Sequence, residues 1–129
     1  MKPQDLKDRT LEFSVRIIKF AQSLPDNQAI RIISGQLLRA STSVGANYRA
    51  SQRSKSTRDF INKLKIVEEE SDEALYWLQL LHRSKLGESV ELQVLIKEAN
   101  ELVAIFVSSI NTAKANLELQ RKTTSSSNF

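Results

Sequence analysis

The sequence predicts an all-α protein, an elongated up-down-up-down four-helix bundle, on three observations. Apolar residues recur at steps of three and four over four long segments, which is the period of an amphipathic helix. The 129 residues include only 3 glycines and 2 prolines, too few for the turns of a β-sandwich or barrel. The length suits one domain, so we expect a bundle at residues 1–120 and a disordered, serine-rich tail at residues 121–129.

The first two helices are separated by a proline. Helix 1 is predicted from about Asp5 to Leu24, because Pro25 disfavours the helical conformation of the residue before it. Helix 2 is predicted from an N-cap at Asp26 to about Ser54, since a short acidic side chain suits that position. Both segments carry an apolar stripe that would face the bundle core.

The middle of helix 2 is rich in small residues, and each glycine inside a helix costs about 1 kcal/mol relative to alanine. One interpretation is a face for close helix packing, formed by Gly35, Ser41 and Gly45. The other is a kink or break near Ser43, whose hydroxyl would cap a fresh helix. The sequence leaves both interpretations open.

The second half of the chain contains two further helices. Helix 3 is predicted to begin after Ser56 or Thr57 and to end at Gly87, because glycine commonly terminates helices. Helix 4 is predicted from about Ser89 to Gln120. Leu11, Val15 and Ile18 widen the apolar stripe of helix 1, so we expect this helix to have two buried faces. Apolar residues off the main stripes, among them Ile32 and Trp77, would form a contact patch, so we expect self-association.

Composition argues against several kinds of active site. The chain has no cysteine and 1 histidine, which excludes thiolate chemistry and leaves almost no imidazole chemistry. The acidic run at residues 68–73 lacks the Glu-x-x-His pairs of di-iron bundles, so no metal site and no cofactor are expected. There is no apolar segment of membrane-spanning length and no signal peptide, so we expect a cytoplasmic protein. The serines have no plausible catalytic base, so we expect a protein that is not an enzyme.

The net charge of +4 is unevenly distributed along the chain. Residues 26–56 carry +4, whereas residues 88–120 carry −3. At 100° per residue, four arginines of helix 2 fall within an arc of roughly 80° opposite its apolar stripe. They are Arg31, Arg39, Arg49 and Arg53. This row predicts contacts with nucleic-acid phosphates; the alternative is a solvated face or an interface with a subunit or protein partner.

Three segments resemble a known protein family. Residues 37–50 read LLRASTSVGANYRA, residues 59–64 read DFINKL, and residues 70–78 read ESDEALYWL. They resemble the small bacterial four-helix-bundle proteins encoded in intervening sequences of 23S ribosomal RNA genes. The family is related to the accessory subunit of diversity-generating retroelements.

The resemblance implies a ring-like homopentamer. No catalytic residue is known for the family, so the resemblance assigns none to this chain. It also implies binding of RNA or DNA and a reverse-transcriptase-like protein partner. From the residues and the resemblance together, we expect a non-enzymatic, nucleic-acid-associated oligomer that uses the helix 2 arginines. The alternative is a protein-binding adaptor or scaffold whose basic face forms a subunit or partner interface.

Overall fold

Residues 1–127 fold into four antiparallel helices joined by short connections. The structure is a computed structural model that describes residues 1–127. It places α1 at Pro3–Ser23, α2 at Gln28–Ser51, α3 at Thr57–Arg83 and α4 at Val90–Ser127. Each helix packs against the next one along the chain, and α1 meets α4 along a sparser seam. The predicted all-α, up-down-up-down four-helix bundle is confirmed.

The core runs along the bundle axis and consists of the apolar stripes that the sequence pattern indicates. Its fully buried members include Phe13, Ile17, Leu37, Val44, Leu64, Leu78, Leu95, Leu102 and Phe106. Near the end of the bundle where α1 begins, the ring of Tyr48 contacts that of Phe106 at a centroid distance of 5.7 Å. Within residues 1–127, no helix has the length and apolar character needed to cross a membrane.

The N-cap of α2 is Asn27, one residue later than predicted. Its Oδ1 accepts the backbone N–H of Ile30 at 2.8 Å, which satisfies an amide that has no partner within the helix. Asp26 lies outside the helix and forms an ion pair with Arg31 at 2.6 Å. Both residue types can cap a helix, so the sequence alone does not distinguish the two positions.

The starts of α3 and α4 agree with the predicted positions. The Ser56 hydroxyl accepts the backbone N–H of Asp59 at 3.0 Å, and the Ser89 hydroxyl accepts that of Leu92 at 3.1 Å. Each serine therefore caps the helix that follows it, because it satisfies an amide that has no partner within that helix.

The end of α3 differs from the prediction, because Lys85 and not Gly87 terminates the helix. Lys85 adopts a left-handed conformation with φ 56°, and the next amide, that of Leu86, donates to the carbonyl of Leu81 at 2.9 Å. This is the hydrogen bond of a Schellman cap. Gly87 has φ 73° and serves the connection, where a Cβ would collide with the side chain of Leu24.

The helix α2 is continuous, so the hypothesis of a break near Ser43 is wrong. The Ser43 hydroxyl donates to the Arg39 carbonyl at 2.8 Å instead of capping a new helix. The helix ends at Ser51, three residues before the predicted end at Ser54, because Gln52 and Arg53 continue as a turn.

The small residues of α2 differ in their surroundings. A Cβ at Gly45 would lie 3.3 Å from Thr10 Oγ1, so α1 and α2 approach closely there. Ser41 is buried nearby, and its carbonyl accepts a hydrogen bond from the Ser14 hydroxyl at 3.1 Å. A Cβ at Gly35 would meet nothing within 4 Å, so the predicted close packing at Gly35 is wrong within this chain.

The helix α4 continues to Ser127, beyond its predicted end at Gln120. Residues 121–127, which were predicted to belong to a disordered tail, are helical. No glycine or proline interrupts residues 114–127, and extending a formed helix is far easier than nucleating one. The last two residues of the predicted tail, Asn128 and Phe129, lie outside the described residues.

The same substitution at the two glycines of α2 should have opposite effects on stability. Gly45→Leu should lower the free energy of unfolding by about 1–3 kcal/mol, because it overpacks the contact with Thr10. Gly35→Leu should raise it by up to about 1 kcal/mol, because it improves helix propensity at an open position. Thermal or urea melts of both variants measure this difference, and equal stabilities would contradict the close approach at Gly45.

Candidate nucleic-acid interface

The arginine row of α2 divides into two parts. Arg31 pairs with Asp26 at 2.6 Å, and both side chains are exposed. Arg39 reaches across to α3, where its Nη1 lies 3.2 Å from Glu70 Oε2 and its Nη2 contacts the carboxylate of Glu73. These two guanidinium groups are therefore already occupied by carboxylates of the same chain.

Arg49 and Arg53 form the other part of the row and have no ion pair among the described residues. Arg49 lies in the last turn of α2, and Arg53 lies in the turn that follows the helix. With Gln4 and Lys7 of α1 they line a groove of about 380 Å³. No carboxylate lines this groove, which we call the α1–α2 basic groove.

The close approach of α1 and α2 creates this groove. Thr10 faces Gly45, and because the helices are antiparallel, the turn before Thr10 lies beside the turn after Gly45. Lys7 and Arg49 occupy those two turns. A larger residue at position 45 would separate the helices and widen the groove.

Sequence reasoning found the two arginines of the groove and missed Gln4 and Lys7. The row of four arginines follows from the spacing of residues along helix 2 alone. Lys7 joins the groove only because of the register between α1 and α2. Lys7 lies one helical turn before Thr10, which is buried against α2 at Gly45. The sequence does not show that Thr10 and Gly45 are in contact, so it could not place Lys7 beside Arg49.

Other titratable groups serve the structure of the bundle. Arg9 donates two hydrogen bonds to Glu98, at 2.8 and 2.6 Å, and Arg16 pairs with Glu91 at 2.9 Å. A groove of about 470 Å³ lies on this α1–α4 seam, and the Arg16–Glu91 pair lines it. Among residues 1–127 no group of three or more histidines and carboxylates could hold a metal ion.

His82 lies on the surface near the end of α3. Its Nδ1 lies 2.7 Å from a carboxylate oxygen of Glu88 and 3.0 Å from Nε2 of Gln93. These contacts join the end of α3 to the start of α4. The histidine thus has a positional role at this corner of the bundle.

An apolar stripe on α1 is partly exposed in the described part of the chain. Leu11 is 52% exposed and Ile18 is 39% exposed, and Val15, half-buried, lies between them on the same helix face. The sequence pattern predicted a second buried face for this helix, and in the single chain that face is open to solvent. Exposed apolar stripes of this kind mark contact surfaces.

The comparisons with known proteins agree with the helical fold. Residues 3–108 match a family model described as 23S rRNA-intervening sequence protein. The chain is similar to a crystal structure, at 1.70 Å resolution, of a protein with unknown function from the S23 ribosomal protein family of Bacteroides thetaiotaomicron VPI-5482. The two are 38% identical with a TM-score of 0.76, over 86% of this chain and 99% of that one. No curated protein matches the chain.

Proposed function

We propose, from the premise that this chain belongs to the 23S rRNA-intervening sequence protein family, that it is a non-enzymatic oligomer that binds nucleic-acid backbones, RNA above all. The α1–α2 basic groove is the binding site in this proposal. The observation that carries it is the contrast within one arginine row: Arg31 and Arg39 are paired with carboxylates, whereas Arg49 and Arg53 are not.

The chemistry of the groove fits phosphate oxygens. A guanidinium group presents paired N–H donors that match two oxygens of a phosphate, and an ammonium group adds a compact positive charge. Gln4 contributes an amide donor, although its Nε2 also donates to Asp8 at 3.1 Å. No aromatic side chain lines the groove, so bases have no stacking platform and little sequence preference is expected.

Replacing the two unpaired arginines should weaken binding to RNA. Arg49→Ala with Arg53→Ala removes two phosphate contacts, so the slope of log K against log salt should flatten by roughly 1.4–1.8. The loss should be similar for RNAs of different sequence. Fluorescence anisotropy with labelled single-stranded RNA over a salt series measures both effects.

The control removes the same charge from the other two arginines of the row. Arg31→Ala with Arg39→Ala should leave the salt slope close to that of the wild type, because these arginines are occupied by carboxylates. Equal losses in both double variants would contradict a local binding site. Absence of binding by the wild-type protein at low salt would contradict the proposed function itself.

Self-association is the second part of the proposal, and the α1 stripe of Leu11, Val15 and Ile18 supports it. Burial of this stripe against a second subunit would remove apolar surface from water. The pentameric number comes from the family resemblance alone.

Ile18→Asp should dissociate the oligomer, because it places a charge within the proposed contact. Light scattering should give a multiple of 14.6 kDa for the wild type and a lower mass for the variant. Val90→Asp, at a position that is 82% exposed at the start of α4, is the control and should keep the oligomer. A wild-type mass near 14.6 kDa at micromolar concentration would contradict self-association.

The second candidate function is a protein-binding adaptor, with the basic groove contacting an acidic protein or a neighbouring subunit. The α1 stripe, which is apolar and adjoins a basic surface, favours this candidate. Loss of the oligomer in the Arg49 and Arg53 double variant would support it over RNA binding. A reverse-transcriptase-like partner remains a prediction from the family resemblance.

A further inference from the structure

Four more cations without an ion pair among the described residues lie on the α3–α4 side of the molecule. Arg58 and Lys65 are seven residues apart on α3, and Lys114 and Arg121 are seven residues apart on α4. Seven residues nearly complete two helical turns, so each pair lies on one face of its helix, roughly 20° apart. All four residues are absent from the ion pairs that hold the bundle together.

Two contacts place these cations opposite one another. Lys65 and Lys114 line the same groove between α3 and α4, of about 260 Å³. Farther toward the end of the bundle, the Thr57 hydroxyl donates to Gln120 Oε1 at 3.2 Å. Arg58 and Arg121 are the residues next to that hydrogen bond, so the second pair of cations flanks the same groove beyond the first.

The carboxylates near this groove form no ion pair with the four cations among the described residues. Asp59 accepts the backbone N–H of Lys55 and the Lys63 ammonium group, both at 3.1 Å, and these hydrogen bonds hold the pKa of Asp59 below its usual value. Glu118 forms no ion pair within the described residues. Glu68 and Glu69 line the groove farther toward the middle of the bundle, so its charge changes sign along its length.

The two basic surfaces lie at the same end of the bundle. The segments 1–12, 45–66 and 107–124 meet there, and they contain 12 of the 19 lysines and arginines but only 5 of the 15 carboxylates. Their net charge is +7, against −3 for the rest of the chain. Lys55, exposed in the connection between α2 and α3, lies between the two surfaces.

We propose that the α3–α4 cations form a second backbone-binding site, so that an RNA strand crosses this end of the bundle and does not run along α2. The inference rests on the proposed function, because it extends the path that begins in the α1–α2 basic groove. The strand would pass from Lys7, Arg49 and Arg53 over Lys55 to the α3–α4 groove. Two linked weak sites bind one strand more tightly than either site alone, provided that the strand spans both.

The test compares two double variants with matched charge and placement. Arg58→Ala with Lys114→Ala removes one arginine from α3 and one lysine from α4 at the basic end. Arg83→Ala with Lys97→Ala removes the same residue types from the same helices at the opposite end, where both side chains are exposed. The probes are fluorescein-labelled single-stranded RNAs of mixed sequence, of about 30 and about 6 nucleotides.

We expect the Arg58 and Lys114 variant to bind the long RNA at least about five-fold more weakly, with a salt slope lower by roughly 1.4. The Arg83 and Lys97 variant should stay within about two-fold of the wild type. The short RNA reaches only one site at a time, so its affinity should change less in the Arg58 and Lys114 variant. Circular dichroism verifies folding, and Arg58→Gln with Lys114→Gln replaces the alanine pair if that pair unfolds.

The outcomes separate the inference from the proposed function. If the Arg49 and Arg53 variant loses affinity while the Arg58 and Lys114 variant does not, the second site is wrong and the function stands. Equal losses at both ends of the bundle would overturn the end-on path. If the wild-type protein binds neither RNA, the proposed function fails and the second site fails with it.

Discussion

The short connections between helices are the constraint on which the other features depend. Segments 24–27, 52–56 and 84–89 are too short for anything except antiparallel packing of neighbouring helices. Antiparallel packing places the start of α1, the end of α2, the start of α3 and the end of α4 at one end of the bundle. Charges that are scattered along the sequence therefore meet in space, and the net charge of +7 in these segments becomes a property of one end.

Ion pairs divide the cations of the chain into structural and available groups. Arg9 and Arg16 join α1 to α4 through Glu98 and Glu91, along the seam where the core is sparsest. Arg39 joins α2 to α3 in the same manner. Partly exposed ion pairs of this kind contribute about 0–1 kcal/mol each to the free energy of unfolding. They also engage carboxylates of α3 and α4, which are then not free to pair with other cations. At the basic end Arg9 and Lys63 are paired. The cations there that have no ion pair among the described residues include Arg49, Arg53, Arg58, Lys65, Lys114 and Arg121.

The sequence predicted features that depend on one helix at a time. The three- and four-residue period gave the four helices, and the serine caps at Ser56 and Ser89 follow from local hydrogen bonding. The predicted end of α4 was wrong because a formed helix continues until a helix-breaking residue stops it, and no such residue follows Gln120. The predicted end of α3 was wrong because Lys85 adopts the left-handed conformation that glycine usually adopts at the end of a helix.

The candidate site depends on register between helices, which the sequence pattern does not specify. Arg39 and Arg49 belong to the same arc of about 80°, at its two edges, and the arc alone does not show that Arg39 lies opposite carboxylates of α3. Gly35 and Gly45 are both glycines inside α2, and the sequence does not show that only Gly45 lies opposite Thr10. One face of one helix could therefore be predicted, whereas the distinction between occupied and available residues on that face could not.

Lysine footprinting by mass spectrometry tests most directly whether the basic end of the bundle is the surface that contacts RNA. The protein is acetylated briefly with and without single-stranded RNA, and the modification of each lysine is compared. The account predicts that Lys7, Lys65 and Lys114 become protected, whereas Lys19 and Lys97 react equally in both samples. Equal protection of all five lysines, or protection of Lys19 and Lys97 alone, would contradict it.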